Sequence, residues 1–166
     1  MIIEFISKNP EMTKKTGTLF SKMLGRFEVA LLSGELGAGK TTFIAGAASG
    51  LGIKENISSP SFAIFNVYTT RNKRKFIHAD LYRLDSIDEI INTGIEDYFY
   101  DNKSIVFIEW GTKLMLWDYF KMDSVEIEFS YLNDTKRMII FKSSSRRWDK
   151  KLEKFKAVLK KCRYLE

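Results

Sequence analysis

Cysteine, histidine and proline are nearly absent from this chain, and each scarcity excludes something. Cys162 is the single cysteine, so no internal disulfide can form, which suits a reducing, cytoplasmic compartment. His78 is the single histidine, and together with one thiol it cannot make up a Cys/His metal cluster. Prolines occur only at Pro10 and Pro60. No Pro- or Gly-rich linker interrupts the 166 residues, so residues 1–166 read as one domain large enough for a real core. No apolar run approaches the roughly 18 residues of a membrane span, and MIIEFISKNP lacks the basic region and long apolar stretch of a secretion signal. No internal repeat is visible. With 45% hydrophobic and 29% charged residues the chain reads as globular rather than disordered.

What is present is a phosphate-loop pattern. GELGAGKTT at residues 34–42 places Gly34, Gly39, Lys40 and Thr41 at the spacing Gly, four residues, Gly, Lys, Ser/Thr. Glycines let successive backbone N–H groups curl into one concavity with no Cβ in the way. Lys40 adds a point charge for the β- and γ-phosphates, and the Thr41 hydroxyl is a hard oxygen ligand for Mg²⁺. The flanks agree with the pattern: FEVALLS at 27–33 is an apolar run suited to a strand buried on both faces, and KTTFIAGAASGLG has helical spacing with Gly50 and Gly52 as stop signals. Strand, loop and helix N-terminus in that order bring the positive end of a helix dipole to the phosphates.

The remaining elements follow from the same cues. IIEFIS reads as a first strand, and Asn9-Pro10 start a helix running to about Leu24. SSPSFAIFNVYTT and RNKRKFIHADLYRL form a hairpin around residues 70–75. SIDEIINTG carries a capping box, with Ser86 as cap and Glu89 three residues on, and KSIVFIEW is another buried strand. VEIEFSYL and RMIIFKS form a second hairpin around NDTK. Strands mixed with helices predict a three-layer α/β fold of the P-loop NTPase type, and the hairpins make its sheet only partly parallel.

The net charge of +6 lies entirely in residues 146–166, which hold nine Lys or Arg against three acids, leaving eighteen of each sign upstream. Trp148, Leu152, Phe155, Val158, Leu159 and Cys162 recur there at helical spacing, giving a basic amphipathic helix over about 146–164. Its cations are either a solvated face or a surface for nucleic acid or an acidic partner.

A phosphate loop needs an acid at the carboxyl end of a neighbouring buried strand. IVFIE supplies Glu109 in that position, Asp80 at the end of KFIHAD is the rival, and the two can act together. Either would orient the attacking water. His78 shares a strand face with Asp80 and is read as structural before catalytic. Trp110 either stacks on a base or partner or sits half-buried beside the strand end, and Tyr82 fills the sheet. Ser59 and Ser61 either sense a γ-phosphate or close a turn.

GELGAGKTT, then Ser59-Pro60-Ser61-Phe62, HADLYRL at 78–84 and Glu109-Trp110, in this order and spacing, resemble the TsaE (YjeE) family across about residues 1–145. The resemblance implies a small ATPase that binds ATP with Mg²⁺, hydrolyses it slowly, and works with the TsaB and TsaD proteins in threonylcarbamoyl modification of the adenosine beside the anticodon of tRNA. It implies that Gly37, Ala38, Gly39, Lys40, Thr41 and Thr42 cradle the phosphates, that Thr41 and Glu109 hold the metal, and that Asp80 lies by the γ-phosphate. Thr13 matches a threonine near the family's nucleotide pocket.

The chain also departs from the family's pattern. Gly111 and Thr112 follow Glu109-Trp110 where Pro and an acidic or amide residue are common, and Ser61 stands where Thr is common. The basic helix extends past the family's compact core, so any contact it makes with tRNA is not inherited. Arg83 either forms a salt bridge or serves the phosphates. A small-molecule P-loop kinase, or a tRNA-binding module with an incidental nucleotide site, remain the alternatives.

Overall fold

A computed structural model describes residues 1–60, 62–101, 103–112, 122–143 and 145–165. Seven strands form one sheet: β1 (Ile2–Ser7), β2 (Glu28–Gly34), β3 (Phe65–Thr69), β4 (Lys75–Asp80), β5 (Ser104–Glu109), β6 (Ser124–Tyr131) and β7 (Arg137–Ser143). Their spatial order is β1-β7-β6-β2-β5-β4-β3. The four central strands β6, β2, β5 and β4 are parallel, and the β3–β4 and β6–β7 hairpins, with β1 beyond β7, add antiparallel margins. Both hairpins are those expected from the sequence, and the mixed sheet follows from them.

The helices are α1 (Pro10–Phe20), continued by a 3₁₀ turn at Ser21–Met23, α2 (Lys40–Gly50), α3 (Ile87–Ile91), α4 (Asp97–Tyr100) and α5 (Arg146–Lys161). Asn9 caps α1 by accepting from the Met12 N–H, with Pro10 in the first turn. Alternation along the central strands feeds two cores. Ala30 and Leu32 of β2 and Ile105 and Phe107 of β5 face α1, α2 and α5, whereas Val29, Leu31, Val106 and Ile108 face α3 and α4. The result is the three-layer α/β arrangement expected.

Phe20 ties the first layer together. Its ring lies within 5.3–6.4 Å of Phe43, Phe107, Phe141, Trp148 and Phe155, so α1, α2, the sheet and α5 share one aromatic cluster. The α1–α2 contact is tight enough to require glycine. A Cβ on Gly46 would stand 1.8 Å from the Lys14 carbonyl oxygen, and one on Gly17 would stand 2.1 Å from that of Phe43. Gly46→Ala gains about 1 kcal/mol of helix propensity but forces the backbones apart. We expect a net loss of roughly 1–2 kcal/mol, read as a thermal midpoint lowered by about 2–8 °C; an unchanged midpoint would show that the helices slide freely.

Candidate functional site

The site sits where the parallel strands end. Residues 35–39 leave β2 and enter α2 through Gly37 at φ +77° and Gly39 at φ +104°, left-handed conformations that glycine adopts without Cβ strain. Gly39 is the N-cap of α2 and supplies no side-chain cap. The amides of the first turn, at Lys40, Thr41 and Thr42, therefore have no carbonyl partner one turn back and carry the positive end of the helix dipole. Ala38 is different: its N–H donates to the Glu35 carbonyl at 3.1 Å and its side chain is fully buried, so it shapes the loop rather than lining the cleft.

Lys40 is 3% exposed. Its ammonium donates to the carbonyls of Gly34 at 2.8 Å and Glu35 at 3.0 Å and lies 4.6 Å from the centre of the Trp110 ring. Burial pulls the Lys40 pKa below the ordinary lysine value, while the charges of Glu109 and Asp80 push it back up.

Glu109 ends β5, level with Leu32 of β2 on one side and Asp80 of β4 on the other. Its carboxylate, 4% exposed, accepts from the Thr41 hydroxyl at 2.7 Å and from His78 Nε2 at 2.9 Å. A carboxylate only accepts, so Nε2 carries the imidazole proton. His78 Nδ1 is buried with no hydrogen-bond partner among the described residues. His78 thus positions Glu109 through Nε2. Asp80 accepts from Ser59 Oγ at 2.6 Å and from the Tyr82 N–H at 3.1 Å, so both its oxygens are aimed by neighbours.

These groups wall a cleft of 380 Å³ in which Gly37, Gly39, Lys40, Thr41, Thr42, Asp80 and Glu109 all take part. Thr13 lies behind the loop instead. Its hydroxyl pairs with Ser7 Oγ at 2.8 Å, and it lines a 60 Å³ recess with Thr135 and Arg137 that shares Gly37, Gly39 and Thr42 with the cleft. Trp110, at φ +62°, covers Lys40 and packs 5.1 Å from the Tyr82 ring. Tyr82 is 55% exposed and so does not fill the sheet. The Arg83 guanidinium lies 4.8 Å from the Phe62 ring centre on the rim. Ser61 lies outside the described residues. Sequence reasoning missed Tyr131, whose hydroxyl donates to the Leu36 carbonyl at 3.1 Å, and Arg137, stacked 4.0 Å from that ring. Both come from a distant hairpin, and nothing in their local sequence marks them.

Chemically, the arrangement suits a polyphosphate with a hard cation. Among the described residues no cluster of three or more His, Cys, Asp or Glu could hold a metal alone. Thr41 and Glu109 offer a partial oxygen shell, the kind magnesium completes with phosphate and water.

The family model described as threonylcarbamoyl adenosine biosynthesis protein TsaE matches residues 7–139. The tRNA threonylcarbamoyladenosine biosynthesis protein TsaE of Bacillus subtilis is 32% identical over 141 residues, covering 85% of each chain. That of Treponema pallidum is 36% identical over 109 residues, 66% of this chain and 78% of its own. The crystal structure of Bacillus subtilis YdiB superposes with a TM-score of 0.77 at 27% identity, covering 95% of both chains.

Proposed function

This chain belongs to the TsaE family of threonylcarbamoyl adenosine biosynthesis proteins, and on that premise we propose that it is a magnesium-dependent ATPase serving the TsaB–TsaD pair. In this reading residues 1–166 are one cytoplasmic domain that binds ATP in the 380 Å³ cleft. Its hydrolysis lets the partners threonylcarbamoylate the adenosine beside the tRNA anticodon repeatedly. Among the described residues no helix is long and apolar enough to cross a membrane. The observation that carries the proposal is the 2.7 Å contact between Thr41 and Glu109, which joins the phosphate loop to the neighbouring strand's acid.

Phosphoryl transfer to water is largely positioning and charge stabilisation. The amides of Gly37, Gly39 and the first turn of α2 hold phosphate oxygens, and Lys40 swings its ammonium from the loop carbonyls to the β- and γ-phosphates. Thr41 and Glu109 hold magnesium, which offsets charge on the transferring group. With Glu109 given to the metal beside Thr41, Asp80 is the carboxylate that orients the attacking water, steadied by Ser59. Arg83 rests on Phe62, and without an arginine on the γ-phosphate isolated hydrolysis is slow until a partner completes the site.

The test mixes the protein with TsaB, TsaD, ATP and tRNA. Modification is expected to proceed through many turnovers with the intact protein, and Glu109→Gln, which keeps an acceptor oxygen for Thr41 and His78, is expected to lower hydrolysis about 100-fold. Repeated turnover in the absence of this protein would overturn the proposal.

A further inference from the structure

The end of the sheet opposite the nucleotide cleft carries a second concavity. A basin of 770 Å³ is lined by Leu24, Gly25, Arg26, Asn72, Lys73, Arg74 and Lys103. Among these residues four are cationic and none is acidic. They converge because the chain places a cation just before three parallel strands: Arg26 before β2, Lys73 and Arg74 before β4, and Lys103 before β5. Strands of six or seven residues separate this edge from the phosphate loop by about 20 Å.

The basin is a built feature. The Arg74 guanidinium donates to the Gly25 carbonyl, joining the β3–β4 turn to the loop before β2. That turn is closed by the Lys73 N–H on the Thr70 carbonyl at 2.9 Å and by the Arg74 N–H on Thr70 Oγ1 at 3.0 Å. The carboxylates that accept from the Gly25 and Lys103 amides of the basin, Glu28 and Asp101, are already occupied. Glu28 is 1% exposed and lies between Lys151 and Arg147 of α5. Asp101 accepts from Ser104 Oγ at 2.8 Å and lies 4.0 Å from Lys75. Lys151 also donates to the Met23 carbonyl at 2.9 Å, so α5 abuts the basin wall, and the exposed Lys154, one turn on from Lys151, extends the positive surface.

We propose that this basin, continued along α5, binds the phosphate backbone of tRNA while the opposite edge handles ATP. The proposal rests on the proposed role in tRNA modification. A protein partner would need an apolar anchor, but the basin offers only the buried Leu24 beside its cations and Asn72. A backbone of phosphates needs only cations and polar donors, and it binds without reading sequence.

Fluorescently labelled tRNA is titrated with the full chain, without nucleotide, between about 50 and about 200 mM salt. The triple variant Arg26→Glu, Lys73→Glu, Lys103→Glu changes exposed side chains only. It is expected to bind at least about tenfold more weakly, with the salt slope reduced by about 0.9 for each phosphate no longer neutralised, while its ATP affinity and thermal midpoint stay unchanged. If that variant misfolds, the same three positions changed to Gln are measured instead and are expected to show the same reduced slope. Wild-type affinity in the variant, or no salt-dependent tRNA binding by the wild type, overturns the proposal. So does loss of affinity for TsaB–TsaD with tRNA binding intact, which would make the basin an acidic-protein surface. Lys40→Ala serves as the separating control, since it is expected to lose ATP turnover and keep tRNA binding. Failure of the ATPase reading would therefore leave the basin's result standing, and the reverse also holds.

Discussion

Lys40→Ala is expected to weaken ATP binding at least about 100-fold and to remove detectable hydrolysis. Each hydrogen bond from a charged donor to a buried acceptor contributes about 1.5–3 kcal/mol, so removing an ammonium that serves two phosphate oxygens corresponds to about 3–6 kcal/mol. Calorimetric titration with ATP checks the affinity. The ligand-free protein should behave differently. Lys40 is 3% exposed, and burial pulls its pKa down, so the fold bears a penalty for holding that charge. Alanine removes the penalty together with the bonds to Gly34 and Glu35, and the apo midpoint should move by only a few degrees while the ATP-induced rise in midpoint disappears. The pH dependence has a definite sign. Below the lowered pKa both folded and unfolded chains hold the proton; between that value and 10.5 only the unfolded chain does. Lys40 therefore makes the wild-type apo protein more stable as pH rises through that window, and Lys40→Ala should lack this contribution. A variant that binds ATP as the wild type does would remove Lys40 from the phosphate site.

The parts of the site that adjoin in sequence were legible, and those assembled from separate loops were not. Strand β2, the glycine loop and α2 follow from an apolar run, a spacing and a helical pattern that adjoin along the chain. Glu109 was legible because a fully apolar run ending in an acid has few other readings in a parallel sheet, and the pairing of Leu32 with Glu109 fulfils it. The hold of Ser59 on Asp80 spans 21 positions. The approach of Tyr131 to Leu36 spans 95, and follows from β6 adding beside β2 in parallel. No local propensity encodes such pairings. The capping box at α3 shows the same limit at short range: the Glu89 N–H donates to Ser86 as expected, but its carboxylate accepts from Asp85 rather than from the cap residue. Trp110 was visible as an aromatic beside the strand end, whereas its left-handed backbone and its place over Lys40 depend on the turn that leaves β5.

Deleting residues 146–166 is expected to unfold the protein, although this segment carries the whole net charge and lies outside the residues matched by the family model. Trp148, Leu152, Phe155 and Leu159 are all fully buried in the core that α5 shares with Phe20 and Phe141. At about 1.5–3 kcal/mol for each buried side chain, their removal amounts to about 6–12 kcal/mol, comparable to the 5–15 kcal/mol or so that holds a domain folded. Glu28 adds to the deficit, because the truncation also takes away both of its cationic partners, Arg147 and Lys151. The truncated chain should show no cooperative thermal transition and no near-ultraviolet dichroism. The exposed cations of the same helix should behave in the opposite way. Changing Lys156, Lys160 and Lys161, all exposed, to Gln should shift stability by no more than about 0.5 kcal/mol at each position. If the truncated protein instead melted cooperatively near the wild-type midpoint, α5 would be an appendage and its apolar stripe would need another partner. The apolar face and the two cations on Glu28 make the helix part of the fold, and only the charges that remain outside are available for anything else.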